Sequence, residues 1–184
     1  IKILVDAMGV EAFREAVEQE WRASKDDVAP LPESEVARIR SMFASPVYEI
    51  LHDVPPALAA SRAGDPAFDR WMATNVARHR VAGHAIVTVS LKPVGGIPGD
   101  ASAEQMDALA DLAELYSFGE IRVTHMQNLV LPHVRQRDLP ALWRSLDAHG
   151  LATANAGRAS DIIACPGLDY CSLANARSIP VAQR

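Results

Sequence analysis

The sequence predicts an α+β fold, and three observations support that class. Apolar residues recur at helical spacing in several stretches, whereas residues 84–91 (His-Ala-Ile-Val-Thr-Val-Ser-Leu) are β-branched and partly alternating. Glycine and proline separate these stretches. With 184 residues and an apolar fraction of 49%, the chain can fill the core of one domain, or of a small domain with pieces of others.

Charge and cysteine content argue against several classes of function. The net charge is −5, and acidic and basic residues alternate instead of forming blocks, so neither a nucleic-acid groove nor an anionic membrane surface is indicated. No apolar run approaches the roughly 18 residues that span a bilayer, and no secretory signal is apparent. Two cysteines are too few for a disulfide framework. We therefore expect a cytoplasmic location, with no nucleic-acid or membrane partner.

The first part of the chain, residues 1–70, predicts helices followed by a connection. Residues 1–22 carry a helical apolar stripe that we expect to face a core. Residues 23–70 are marked by prolines and predict a surface connection with one short helix from Pro32 to Met42. Because the chain starts inside an apolar pattern, we expect a piece of a longer protein. The stripe consists of Ile1, Leu4, Val5, Met8, Val10, Phe13, Val17 and Trp21.

Residues 84–119 predict a strand followed by a helix. Pro93 and the glycines at 95 and 96 close the strand. Ser102 and Gln105 have the spacing of a capping box, which predicts the start of the helix, and Gly119 is suited to end it. The buried stripe of this helix is predicted to be Met106, Leu109, Ala110, Ala113 and Tyr116.

Two more strands and a second helix complete this unit. Residues 121–124 and 128–131 predict strands. Asp138 and Pro140 predict the start of a helix that ends at Gly150. The order β-α-β-β-α over residues 84–150 is most of a ferredoxin-like split βαβ unit. Further along, the small residues after Cys171 favour a helix bounded by Pro180.

Polar residues gather around the end of the second strand. Alternate side chains of a strand point to opposite faces, so Ile121, Val123 and His125 are expected to face the core. The polar residues would then lie together on the other face, where a guanidinium, a hydroxyl and two amides suit an anionic ligand with several carboxylates. A solvated sheet face has a similar composition. The patch comprises Arg122, Thr124, Gln127 and Asn128.

Cys165 and Cys171, the two cysteines of the sequence, are six positions apart. Zinc fingers typically have two to four intervening residues, and the redox motif CxxC has two, so neither site is indicated. Pro166 and Gly167 permit a tight loop that presents both thiolates to one metal cluster. Two buried free thiols or a local disulfide remain as alternatives, and a cubane iron–sulfur cluster needs four protein ligands.

Two ordered motifs resemble the sulfite and nitrite reductase hemoproteins. The first is Ile-Arg-Val-Thr-His-Met-Gln-Asn-Leu-Val-Leu at residues 121–131, and the second is Ala-Cys-Pro-Gly-Leu-Asp-Tyr-Cys-Ser-Leu-Ala at residues 164–174. Residues 1–13 and 89–100 are similar to the middle region of these proteins. Members of the family carry sirohaem and a 4Fe–4S cluster, and they contain two ferredoxin-like halves and two cluster-domain modules.

The resemblance implies a division of this chain into three parts. Residues 1–70 would be the helical end of a preceding module with its connection, and residues 71–150 the second ferredoxin-like half-domain. Residues 151–184 would be the truncated start of the second 4Fe–4S and sirohaem module.

The resemblance also implies roles for particular residues. Cys165 and Cys171 match the first pair of cluster ligands, and a second pair would lie beyond Arg184. In the family, one strand faces the cofactor, and its positions correspond here to Arg122, Gln127 and Asn128. Thr124 belongs to the same patch. Arg80 lies where a basic residue could meet a sirohaem carboxylate. No residue of this chain is assigned a catalytic role.

The implied reaction is the six-electron reduction of sulfite to sulfide or of nitrite to ammonia, with electrons from ferredoxin or a flavoprotein. We expect the chain alone to be inactive, to bind no cofactor, and to self-associate through apolar surface that its missing half would cover. The alternative is a stand-alone ferredoxin-like module that binds a partner or a small anion without redox chemistry.

Overall fold

The computed structural model describes residues 1–51 and 55–184. These residues form two compact units, which are residues 1–46 and residues 47–184. The predicted division into modules at residues 70 and 150 stays a prediction. Along the described ranges, no helix combines the length and the apolar character needed to cross a membrane.

The first unit contains three helices, α1 (Lys2–Met8), α2 (Val10–Ser24) and α3 (Glu33–Met42). Gly9 separates α1 from α2 with a φ of 80°, a conformation that favours glycine. The helices confirm the periodicity at residues 1–22, but the expected burial of the stripe is wrong for this unit. No residue of the three helices is buried, because a helical stripe needs a second layer to cover it.

The second unit begins with two helices in a region that the sequence predicted to be a connection. α4 (Pro56–Gly64) and α5 (Pro66–Asn75) place Leu58, Phe68 and Trp71 in the core. Each helix has its proline in the first turn, where the missing N–H costs little. The Asp65 carboxylate caps α5 by accepting hydrogen bonds from the N–H groups of its first turn, at 2.9 and 3.1 Å. Pro56 and Pro66, which predicted breaks in the sequence, are therefore the first residues of helices.

A four-stranded antiparallel sheet forms the centre of this unit. Its strands are β1 (Val76–Arg78), β2 (His84–Val89), β3 (Arg122–Val123) and β4 (Leu129–Arg135), in the spatial order β1-β2-β4-β3. Because β4 lies between β2 and β3, the arrangement is the split βαβ unit that the sequence predicted. The edge strand β1 was not predicted.

Helices α6 (Ala103–Tyr116) and α7 (Leu139–Ala148) follow β2 and β4 in the chain. The predicted capping box at Ser102 is present, with both of its hydrogen bonds formed. The predicted stripe is wrong at Met106 and Ala110, which are exposed, and it omitted Leu112. The buried face runs Leu109, Leu112, Ala113 and Tyr116 because helical spacing i, i+3, i+4, i+7 starts at Leu109.

β4 is longer than predicted and continues past Pro132. Proline donates no N–H, so in sheets it is found at edges or bulges. The pairing of β2 with β4 has an irregularity between Ala85 and Val87, opposite this proline. The irregularity lets a central strand tolerate the proline, and Val134 beyond it is fully buried.

The last part of the chain is irregular. Residues 172–178 form no helix, so the helix predicted directly after Cys171 is wrong. A short helix, α8 (Ile179–Ala182), starts later, and Pro180 lies in its first turn instead of bounding it.

Candidate functional site

The turn after β3 is built by Thr124, Gln127 and Asn128. The Thr124 N–H and hydroxyl both donate to the Asn128 carbonyl, at 3.0 and 3.1 Å. The Gln127 N–H donates to the Thr124 carbonyl at 3.2 Å. Gln127 adopts a φ of 55°, a left-handed conformation that is uncommon outside glycine and asparagine. We call residues 124–127 the strand turn.

Gln127 connects the strand turn to residues 164–174, which we call the cysteine segment. Its Nε2 donates to the Ala164 carbonyl at 2.8 Å, and its Oε1 accepts from the Ala164 N–H at 3.0 Å. Cys165 is the next residue. The two motifs that the sequence singled out, 37 positions apart, are therefore in direct contact.

Asn128 is buried and lies in a polar network that the sequence did not predict. Its Oδ1 accepts from the Leu91 N–H at 3.2 Å, and its Nδ2 donates to Asp161 Oδ1 at 2.9 Å. The same carboxylate oxygen is 2.5 Å from Lys92 Nζ. The available signal was a lysine directly after an apolar strand, but no local pattern identifies Asp161 as its partner.

The Asp161 carboxylate is ionised more easily than usual. Burial acts to raise its pKa, but hydrogen bonds from Lys92, the Gly157 N–H and Asn128 outweigh burial and lower it. The charge is therefore retained inside the protein because each carboxylate oxygen has donors.

Arg122 and its neighbours differ from the predicted strand pattern. The Arg122 guanidinium is exposed and pairs with Glu120 Oε1 at 2.5 Å. Val123 was predicted to face the core, but it is 82% exposed, and His125 is exposed as well. The reason is that β3 has only two residues and lies at the sheet edge, so strand alternation ends before it can bury these side chains.

Arg80 is separated from the other predicted site residues. It lies in the β1–β2 loop and lines a cavity of about 670 Å³ with Arg78, His79 and His84. A second cavity, of about 640 Å³, lies between the strand turn and the cysteine segment. The lining residues of the two cavities in the described ranges do not overlap. Those of the second include Val123, Thr124, Gln127, Asn128, Ala164, Pro166 and Tyr170.

The cysteine segment folds back on itself around Gly167. The Gly167 carbonyl accepts from the Cys171 N–H at 2.8 Å, which brings the second cysteine back over the turn. Gly167 has a φ of 60°, and a Cβ on it would lie 2.7 Å from the Ala176 carbonyl oxygen. The Ser178 hydroxyl donates to the Cys165 carbonyl. Both thiols are free, that of Cys165 on an exposed residue and that of Cys171 on a half-buried one.

These residues fit only part of an iron–sulfur site. A cubane cluster takes four protein ligands, and the chain offers two cysteines. Within residues 1–51 and 55–184, no group of three or more histidine, cysteine, aspartate or glutamate side chains is arranged to hold a metal ion. The described residues therefore do not form a complete cluster site.

A second titratable cluster surrounds Tyr48. The Tyr48 hydroxyl lies 2.9 Å from His133 Nδ1 and 3.5 Å from His79 Nε2, and its ring contacts His84 edge-on with centroids 5.0 Å apart. His133 Nε2 lies 2.9 Å from Glu120 Oε2. The pKa of His79 is lowered, chiefly by burial; the hydrogen bond with the Val81 N–H acts to raise it, and electrostatic interactions with His133, His84 and Arg80 lower it further.

One comparison with known proteins matches a part of the second unit. Residues 82–149 match the family model of the nitrite/sulfite reductase ferredoxin-like half domain. The chain is 32% identical over 95 residues to the ferredoxin–nitrite reductase of Synechococcus elongatus, a match that covers 50% of this chain and 18% of that protein. It is 35% identical over 97 residues to the chloroplastic ferredoxin–nitrite reductase of Zea mays, with 50% and 16% covered. The match thus spans less than a fifth of either relative.

Proposed function

We propose that this chain is part of a reductase that depends on sirohaem and a 4Fe–4S cluster, because residues 82–149 match the family model of the nitrite/sulfite reductase ferredoxin-like half domain. The whole protein would catalyse the six-electron reduction of nitrite to ammonia or of sulfite to sulfide. Both relatives are named ferredoxin–nitrite reductases, which favours nitrite as the substrate and ferredoxin as the electron donor.

The pair of hydrogen bonds between Gln127 and Ala164 is the observation that carries this proposal. It links the strand that would face the cofactor to the segment that bears the cysteine ligands. In the proposed site, Gln127 and Asn128 use their amide groups on protein partners and fix the strand turn. Arg122 is exposed at the sheet edge, where its guanidinium pairs with Glu120 and can meet a further carboxylate.

Cys165 and Cys171 would be two of the four cluster ligands in the whole protein. Their chemistry suits this role, because thiolates are the usual protein ligands of iron–sulfur clusters. The chain alone, with half of the ligand set, is then expected to be colourless and inactive after purification. Iron and sulfide analysis checks this expectation, and stoichiometric iron and sulfide in the purified chain would contradict it, for example through a dimer that shares four cysteines.

The test of the proposed function uses the complete natural reading frame that contains this chain. The protein is purified without oxygen, its absorption spectrum is recorded, and the consumption of nitrite and of sulfite is measured with reduced ferredoxin as donor. We expect sirohaem absorption and turnover of one of the two anions. Cys165→Ser should reduce the iron content, whereas Ser172→Ala, at an exposed position next to Cys171, should not.

A preparation that has neither sirohaem absorption nor activity on either anion would refute the proposal. The alternative function, a ferredoxin-like module that binds a partner or a small anion without redox chemistry, would then be favoured.

A further inference from the structure

A buried ion pair joins two distant parts of the second unit. Lys92 Nζ and Asp161 Oδ1 are 2.5 Å apart, and their side chains are only 2% and 3% exposed. Lys92 follows β2, whereas Asp161 precedes the cysteine segment by a few residues. Asp161 Oδ2 accepts from the Gly157 N–H at 2.8 Å, so both carboxylate oxygens have donors.

The same lysine also holds the strand turn. Its ammonium donates to the carbonyl of Met126, the residue before Gln127. An ammonium has three donors and no acceptor, so it can bind two carbonyl or carboxylate oxygens of separate segments at once. One cation therefore connects the strand turn to the segment that leads to the cysteines.

These contacts lie on both sides of the two hydrogen bonds between Gln127 and Ala164, the residue before Cys165. On one side, Met126 is fixed next to Gln127. On the other side, Asp161 is fixed three residues before Ala164. The Gln127 amide then binds the N–H and the carbonyl of Ala164, and Cys165 follows directly. The backbone at Cys165 is thus positioned by contacts that do not involve its thiol.

An ion pair suits this task better than an apolar contact. Residues 151–164 have no regular secondary structure, so no ladder of backbone hydrogen bonds sets their register. Apolar contacts are not directional, whereas a paired charge with all its hydrogen bonds made accepts few geometries. Buried polar groups are best attested in roles of register and specificity.

We propose that Lys92 and Asp161 form a latch that positions Cys165 against the strand turn before any cluster binds. Lys92 and Asp161 are positioning residues, since neither contacts the thiol itself. The role goes beyond the proposed function, because it concerns the order of the cysteine segment in this chain with no cofactor present.

The test is hydrogen exchange of the purified chain, read by mass spectrometry over peptides that cover residues 160–168 and β4. Lys92→Met keeps the side-chain length and removes the charge. We expect the Ala164 amide to exchange about tenfold faster or more in this variant, through local opening, with β4 changed less than about twofold. Asp161→Asn keeps an oxygen that can accept from Asn128 and should have the same effect. It decides the question if Lys92→Met does not fold.

Two control variants separate the latch from general destabilisation. Lys25→Met removes an exposed lysine from the first unit and should change no exchange rate in residues 160–168. Val134→Ala weakens the core and should accelerate exchange in β4 and residues 160–168 alike.

A spin label on Cys165, in a Cys171→Ser background, gives a second and spectroscopic readout. The latch predicts that the spin label moves slowly in the Cys171→Ser protein and fast when Lys92→Met is added. Unchanged exchange at residues 160–168, or equal acceleration in β4, would overturn the proposal, as would a label equally mobile in both proteins. Since no cofactor is involved, these outcomes are independent of whether the whole protein is a reductase.

Discussion

Gln127 combines a backbone cost with a side-chain gain. Its left-handed φ of 55° costs roughly 1 kcal/mol for a residue that has a Cβ. Its amide makes two hydrogen bonds with Ala164, which is buried. Buried polar groups left without partners cost about 1–3 kcal/mol each, so these two hydrogen bonds outweigh the backbone strain. The strand turn therefore keeps a glutamine where the backbone alone would favour glycine.

Gln127→Ala should lower the free energy of unfolding by about 2 kcal/mol, because the Ala164 N–H and carbonyl lose their partners. Gln127→Gly loses the same bonds but relieves the backbone, so it should be about 1 kcal/mol more stable than the alanine variant. Urea denaturation of both variants measures the difference. An alanine variant as stable as the glycine variant would show that the left-handed conformation is not retained.

Gly167→Ala should disrupt the cysteine segment. The added Cβ would meet the Ala176 carbonyl oxygen at 2.7 Å and Ser178 Oγ at 2.8 Å, in addition to the strain of a φ of 60°. Gly119→Ala is the matched control: its φ is 71°, and a Cβ added there would find no heavy atom of the described residues within 4 Å beyond its chain neighbours.

We expect the control to lose about 1–2 kcal/mol of stability, and Gly167→Ala to lose clearly more or to expose Cys171 to alkylation. Thiol alkylation and urea denaturation of the two variants check this. Equal losses with an unchanged rate of Cys171 alkylation would mean that the segment yields to the new methyl group.

His79 should make stability fall on mild acidification. Burial and nearby positive charge lower its pKa in the folded state below its unfolded value of roughly 6.5. The unfolded chain then binds more protons between these two values, so stability declines as the pH falls below roughly 6.5 and is fully present above it. His79→Asn keeps an acceptor for the Val81 N–H and should flatten this slope. Denaturant midpoints measured from about pH 5.5 to about pH 8 provide the test, and an unaltered slope would contradict it.

At the scale of elements, helix starts are the parts specified most locally. The α6 capping box uses only Ser102 and Gln105, and the Gln105 amide also donates to the His149 carbonyl at 3.0 Å, at the end of α7. One side chain thus begins one helix and binds the end of another.

Ser102→Ala should therefore cost about 1 kcal/mol, the usual value of an N-cap. Gln105→Ala should cost more, because it removes its half of the box and the bond to His149. Thermal unfolding of the two variants gives the order. A Gln105→Ala variant milder than Ser102→Ala would show that the bond between the helices adds nothing.

The elements that were predicted correctly are those whose signals are local. The capping box at Ser102, Pro140 in the first turn of α7 and the apolar run of β2 act over a few positions, and the split βαβ order follows from them. Asp138 stands at the start of α7 but makes no side-chain capping hydrogen bond. The burial of α4 and α5 was not predicted because their prolines signal both a break and a helix start. Val123 was misplaced because alternation does not show that a strand has only two residues.

The site was predictable as two motifs but not as one structure. Arg122 and Asn128 were found from residue type and position, and the cysteines from their spacing. The pairing of Lys92 with Asp161 spans 69 positions, and that of Gln127 with Ala164 spans 37. Contacts at such separation are set by the packing of the whole unit, so a single sequence carries no local signal for them.

At the scale of the whole molecule, burial is uneven. The core residues all lie in residues 47–184, around β2 and β4, whereas α1, α2 and α3 contain no buried residue. Isolated helices shorter than about 12–15 residues are marginal in water, so α1 and α3, with 7 and 10 residues, have little to stabilise them. Stability should therefore differ widely along the chain.

Amide hydrogen exchange followed by NMR should show this gradient. We expect the slowest exchange in β4, which is paired on both sides and carries the fully buried Leu131 and Val134. β3, with two residues at the sheet edge, should exchange faster, and α1 and α3 fastest of all, because local opening costs least where few apolar contacts are lost. Protection of α1 or α3 equal to that of β4 would contradict this order, and it would mean that their exposed apolar side chains, such as Ile3 and Met42, are covered in solution.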